Sequence, residues 1–258
     1  MARAGVIRFL LASGLIAGVS VAAAQTSSVS VDIGHTNVAS GAVSARGRSE
    51  LEFNRELALQ LAAALRGKGL AVRIVNEDGD IPSLRARPAA AAGTDLLVSI
   101  HHDSVGENEL LPWEWNGMRL DYNDAFAGHS LFVSRDNPQT ARSILCARVI
   151  GARLQRLGFA PTHKNGRRRA YADFEHAVHY YDGLAVLRHA TMPAVLYEAG
   201  VIKNRAEELL LRDPQRQARM ADAIATGIAA CLRNGVPAAD EEEADRRDGA
   251  DEKTWKLP

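Results

Sequence analysis

The segment Leu96–Asp103, LLVSIHHD, constrains the fold more than any other. Five residues, apolar except for Ser99, run directly into two histidines and an aspartate. A short apolar run of this kind reads as a buried strand, and its polar end reads as the point where the strand opens onto a site. A second segment of the same grammar, Pro193–Gly200 (PAVLYEAG), carries Glu198 inside an apolar strand. Helix-like stretches lie between these and the other strand candidates. Ser27 to His35 and Leu70 to Asn76 are strands, and Gly128 to Ser134 (GHSLFVS) is another. Helices fill Ser49 to Leu65, part of Ser83 to Asp95 with a break expected at Pro88, Asn137 to Gly158, and Asp213 to Leu232. Strands alternating with helices imply a single α/β domain with a mostly parallel, twisted sheet flanked by helices on both faces.

The termini differ from this body. Arg3 and Arg8 precede an apolar run from Phe9 to about Val21, followed by small residues at Ala22 and Ala24. Residues 1–24 therefore read as a signal peptide, since the run is too short for a bilayer span. The chain is expected to be periplasmic or secreted, with no membrane span after the signal is removed. Residues 237–258 are acidic, almost without apolar side chains, and expected to be disordered. Residues 25–236 remain for the domain. Lysine plus arginine and aspartate plus glutamate each total 31, and this balance gives no reason to expect a nucleic-acid partner. Cys146 and Cys231 would meet an oxidising compartment, but both lie in helix-like segments where a thiol often only packs, so their pairing stays open.

Ligands of open parallel sheets bind beyond the carboxyl ends of the strands. Three strand ends bring candidate groups there: His35, His101 with His102, and Glu198. The helix opening at Ser49 brings a fourth. Ser49 and Glu52 have capping-box spacing, which assigns Glu52 to the helix start and leaves Glu50 free in the first turn. Two histidines and a carboxylate with a second carboxylate beside them suit hydrolytic zinc, which takes three nitrogen or oxygen ligands and keeps an open position. The groups are far apart in sequence, so spacing alone is weak support.

Four blocks in order supply more: VDIGH, GRSELEFNRELALQLAAAL, TDLLVSIHHD and LAVLRHATMPAVLYEAGVIKN. Together they resemble the signature blocks of the zinc-dependent N-acetylmuramoyl-L-alanine amidases, the peptidoglycan amidases of the Amidase_3 family, over most of residues 29 to 232. The resemblance implies hydrolysis of the amide between N-acetylmuramic acid and L-alanine. It implies one Zn2+ per chain held by His35, Glu50 and His101, with Glu198 as the catalytic glutamate, and so it selects the first histidine of the pair. Thr36 and Asn37 stand where the family usually has glycines, Val201 replaces a Phe, and Lys203 a common Ser; none of these removes a proposed ligand. Two other functions fit the same residues: a catalytically silent wall-binding or regulatory protein, and a zinc carboxypeptidase acting on stem peptides. The expected partner is peptidoglycan, the chain is expected to be a monomer, and an activator protein is left open.

Several neighbours have two readings. His102 either donates from behind the metal site or contacts substrate, or takes an ordinary packed or solvent-facing role, and the latter is expected because adjacent strand residues face opposite ways. Asp32 either orients a histidine or caps a turn. Arg167, Arg168 and Arg169 either attract an anionic stem peptide or form a solvated loop. His129, His163, His176, His179 and His189 are expected to have structural or surface roles; His176 and His179 are three apart, which on a helix would put them on one side, but the family pattern gives no second metal site there. Val105 to Gly128 and Phe159 to Asp182 are long connections of the kind that is often functional. In the first, Trp113 and Trp115 would stack on sugars or cover the site. Gly106 to Ala127 would gate it, with Glu107, Glu109 or Glu114 capping the metal.

Overall fold

A computed structural model describes residues 26–234. The expected leader, 1–24, and the expected tail, 237–258, lie outside the described residues. The chain lays down β1 (Ser28–Ile33), α1 (Glu50–Gly67), β2 (Ala71–Val75), α2 (Ala86–Ala90) and β3 (Leu96–Asp103). A hairpin follows, β4 (Leu111–Trp115) and β5 (Met118–Tyr122), then β6 (Ser130–Val133), α3 (Thr140–Arg156), β7 (Tyr171–Asp173) and β8 (Val178–Tyr180). α4 (Ala185–Arg188), β9 (Ala194–Val201), α5 (Arg205–Leu211) and α6 (Pro214–Asn234) complete it.

Seven strands form one sheet in the order β2-β1-β3-β9-β6-β8-β7. β2, β1, β3 and β9 are mutually parallel. The far side is mixed, because β6 runs antiparallel to β9 and β7 antiparallel to β8. Strand alternation then sorts the side chains. Val29, Val31, Ile33, Val98, Ile100, Val195 and Tyr197 face the larger core, shared with Phe53, Leu57 and Leu61 of α1, Ile150 of α3 and Ile224 of α6. Leu97 and Leu196 face a smaller core with Val186 and Leu187 of α4. Burying each such side chain contributes about 1.5–3 kcal/mol, so these faces hold the strand register firmly. The chain leaves β1 toward β2 on one side and reaches β3 on the other, so the strand order reverses between β1 and β3. Such a reversal opens a crevice at the carboxyl ends of the strands.

Three sequence expectations need correction. Pro88 does not break α2; it is the helix's third residue, where no intrahelical acceptor is lost for want of its N–H. The segment from Val105 to Gly128 is not an irregular loop but carries the β4–β5 hairpin. Its turn is Asn116–Gly117, with φ of 50° and 75°, the left-handed pair that a two-residue hairpin needs. Asn-Gly between apolar alternations was the available signal. The segment from Phe159 to Asp182 likewise contributes β7 and β8 to the sheet edge.

The cysteine question is decided by packing. Cys146 on α3 and Cys231 on α6 are disulfide-bonded, with Cα atoms 5.2 Å apart. Both are buried in the larger core where the two helices cross.

Candidate functional site

Glu50 is the centre of the site. The Glu52 carboxylate turns back to the start of α1 and accepts from the Ser49 backbone N–H at 3.0 Å and its hydroxyl at 2.8 Å. Glu50 is thereby left to point into the crevice. Its Oε1 lies 2.9 Å from His35 Nε2 and 3.0 Å from His101 Nδ1. Its Oε2 accepts from the Ala42 N–H at 3.2 Å. Burial works to raise the Glu50 carboxyl, but the hydrogen bonds from His101 and His35 outweigh it and hold the group well below the usual carboxylate range.

His35 is held by its backbone. It sits just past β1 with φ 69°, a left-handed conformation uncommon outside glycine. Two side chains fix that turn by grasping its carbonyl: Arg87 Nη2 donates at 2.5 Å and Asn76 Nδ2 at 2.7 Å. Arg87 is anchored in turn by the buried Asp32 carboxylate, at 2.7 Å, which also accepts from the Ser99 hydroxyl at 2.6 Å. Asp32 thus neither caps a turn nor touches an imidazole; it acts on His35 through Arg87. Nothing in the pattern ARPAA singled out Arg87.

Two glycines leave room for the rings. A Cβ at Gly34 would come within 2.4 Å of the His101 ring. One at Gly41, where φ is +80°, would lie 2.6 Å from the Glu50 carboxylate and 2.7 Å from the His35 ring.

His101 and Glu198 are register partners across β3 and β9. Both lie on the face of the sheet that Leu97 and Leu196 share. Glu198 Oε2 is buried and has no hydrogen-bond partner among the described residues. Burial, then the charges of Asp103 and Glu50, raise its carboxyl well above the usual range. His102 points the other way, as alternation requires. It is buried against Phe53, and its Nδ1 lies 2.8 Å from Asn54 Oδ1.

One atom each from His35, Glu50 and His101 lies within 4.8 Å of the other two, and among the described residues no other group of three His, Cys, Asp or Glu converges this closely. Two imidazoles and one carboxylate fit zinc by donor chemistry, and the unpartnered Glu198 oxygen beside them fits a site with an open position. The other histidines stay outside. His129 and His179 are buried, and His176 pairs with Asp173 at 2.7 Å.

The gating expectation fares differently. Glu109 binds Arg167 at 2.6 Å, Glu107 and Glu114 are exposed, and none of the three joins the cluster. Trp113 and Trp115 stack on each other at 5.4 Å. The Trp113 Nε1 donates to the Ala45 carbonyl at 2.8 Å, with Arg46 lying over both rings. These rings fasten the hairpin to the loop before α1.

Residues 29–230 match the sequence pattern of the N-acetylmuramoyl-L-alanine amidase family, Amidase_3. The chain belongs to this family. An N-acetylmuramoyl-L-alanine amidase of Mycobacterium tuberculosis is 26% identical over 198 residues, spanning 75% of this chain and 73% of the relative. Among solved structures, the amidase Ami1 of Mycobacterium smegmatis has a TM-score of 0.66 at 23% identity, covering 81% of this chain and 98% of its own. The catalytic domain of CwlV from Paenibacillus polymyxa has a TM-score of 0.62 at 28% identity, covering 80% and 98%. The amidase fold is therefore the one built here, and its substrate is peptidoglycan, at the amide between N-acetylmuramic acid and L-alanine. Thr36 and Asn37, unlike the glycines usual there, shape the rim. Asn37 donates to the Asp78 carbonyl and the Asp80 carboxylate, each at 2.8 Å, tying the loop after β1 to the loop after β2.

Proposed function

We propose that this amidase is a zinc enzyme in which His35, Glu50 and His101 hold the metal and Glu198 moves the proton. The observation that carries the reading is the convergence of those three donors beside the unpartnered oxygen of Glu198. Zinc, when bound, supplies Lewis acidity toward the scissile carbonyl and lowers the pKa of water toward neutrality. Glu198 takes the proton of the attacking water as the new C–O bond forms. It then passes that proton to the nitrogen of L-alanine as the C–N bond breaks, leaving a lactyl carboxylic acid and a free peptide amine. A carboxyl raised by burial is suited to both transfers, since its affinity for the proton lies closer to that of the groups it serves. Glu50, held ionised, contributes a full negative charge to the metal. Arg87 and Asn76 keep the His35 turn in place, so the imidazole needs little rearrangement to bind.

In this reading the enzyme is exported, with residues 1–24 removed, and works in the periplasm or outside the cell as a monomer. No helix among the described residues is long and apolar enough to cross a membrane. An activating protein partner belongs to the reading on one ground: the CwlD amidase of Clostridioides difficile, whose fold this chain shares, was solved in complex with the GerS lipoprotein.

The test is incubation of purified protein with peptidoglycan, with and without a chelator, followed by mass analysis. Stem peptides beginning with L-alanine are expected, abolished by chelation and restored by zinc. Release that is indifferent to chelation would overturn the metal assignment, and release of the terminal amino acid alone would indicate a carboxypeptidase.

A further inference from the structure

A second cavity, of about 260 Å³, opens beyond the end of β3 and is lined by Asp103, Lys164, Arg167, Arg168 and Arg169, with Glu109 at its rim. Its charges do not cancel. Lys164 is tied to Asp103 at 3.0 Å and Arg167 to Glu109 at 2.6 Å. Among the described residues Arg168 and Arg169 have no carboxylate partner. Arg169 Cζ lies over the Tyr181 ring, 3.6 Å from its centroid, and its Nε is buried without a partner among the described residues. The walls are built rather than loose. The Lys164 side chain is only 7% exposed. It also donates to the Ser104 carbonyl at 2.6 Å. Asn165 bridges Asp103 at 2.9 Å and Ser130 at 3.1 Å.

The position of this cavity gives it a role. Ser130 is the register partner of Glu198 across β6 and β9, so Glu198 stands between His101 on one side and the wall of the basic cavity on the other. An apolar cavity of about 440 Å³ borders two of the proposed metal ligands and is lined by His35, His101, Ile81, Leu84, Val186 and Leu196.

We propose that the basic cavity is a carboxylate-binding subsite for the peptide arm, in which Arg168 and Arg169 recognise the free carboxylate of an acidic residue following L-alanine. This rests on the amidase reading above and sets the direction in which the substrate lies: peptide toward Arg168 and Arg169, muramyl group toward the apolar cavity. Guanidinium groups suit the task because they pair with carboxylates through two parallel hydrogen bonds and stay charged at any working pH.

The test uses N-acetylmuramoyl-L-alanine extended by one acidic residue, supplied as the free acid and as the side-chain-neutral amide, with zinc-loaded full-length enzyme. The wild type should cleave the acid with a KM at least about tenfold below that of the amide. In Arg168→Gln and Arg169→Gln, each checked for an unchanged melting temperature, that ratio should fall toward one through a rise in KM for the acid. A wild type that cleaves both forms with equal KM, or variants that lower kcat on both without changing the ratio, would overturn the subsite while leaving the amidase reading intact. Failure to cleave either form, with whole peptidoglycan also resistant, would instead strike the amidase reading and remove the ground on which the subsite stands.

Discussion

His101 and Glu198 stand opposite each other on adjacent parallel strands, on the same face of the sheet, although 97 positions (198 − 101) separate them in the chain. Leu97 and Leu196, packed in the smaller core below, hold the two strands in that register. A slip of one residue in either strand would put one group among the apolar side chains of the larger core.

Replacing Glu198 by Gln keeps the shape of the side chain and removes the proton acceptor. Zinc content should stay near that of the wild type, while turnover of peptidoglycan should fall by about 10²–10⁴-fold. Metal analysis of the purified variant alongside product release checks both halves, and a variant that keeps more than a tenth of wild-type turnover would remove Glu198 from the proposed chemistry.

Arg87→Met leaves the Asp32 carboxylate buried with only the Ser99 hydroxyl to compensate it. A loss of about 3–5 kcal/mol in unfolding free energy is expected. Urea denaturation measures it. Adding Asp32→Asn to the variant should recover part of the loss, because the stranded charge is then gone. Weaker zinc retention should accompany the single variant, since the His35 carbonyl loses its shortest donor.

The Cys146–Cys231 bond closes a loop of 85 residues and joins α3 to α6. Constraining an unfolded chain over that separation is worth about 4–5 kcal/mol. Reduction, or the paired substitution of both cysteines by alanine, should therefore lower the melting temperature markedly, and an unchanged melting curve on reduction would show that the helix packing does without the bond.

Acid should destabilise the fold through its buried histidines. Burial, with the nearby charge of His176 adding to it, lowers His129 to about 4, and burial together with the His163, Arg169 and Lys164 charges lowers His179 to about 4. Well above pH 6.5 both are neutral whether folded or unfolded and contribute no pH dependence. Between 6.5 and about 4 the unfolded chain takes up protons that the folded chain refuses, so stability falls as pH falls. His129 alone should cost about 2 kcal/mol at pH 5. Thermal melts at pH 7 and pH 5 test this, and His129→Leu should flatten the difference.

Much of this was legible from residue patterns. The apolar runs ending at His101 and Glu198 placed two strands. The Ser49–Glu52 spacing freed Glu50, and strand alternation turned His102 away from His101. The family blocks then chose His35, Glu50, His101 and Glu198 together, and the fold brings the first three within reach of one another with Glu198 in register beside them. The Asn116–Gly117 turn was also legible, though a length argument alone passed over it.

Other features had no local signature. Arg87 lies in a short helix of alanines, yet it joins Asp32 to the His35 carbonyl. The antiparallel placement of β6, the closure of the disulfide and the charge imbalance at Arg168 and Arg169 depend on partners distant in sequence. Periodicity and capping act over a few residues, so residue order alone identifies which side chains end strands and open helices. Ion pairing, register and the sharing of charge between cavities are set by the summed packing of the whole sheet and emerge once distant segments meet in the fold.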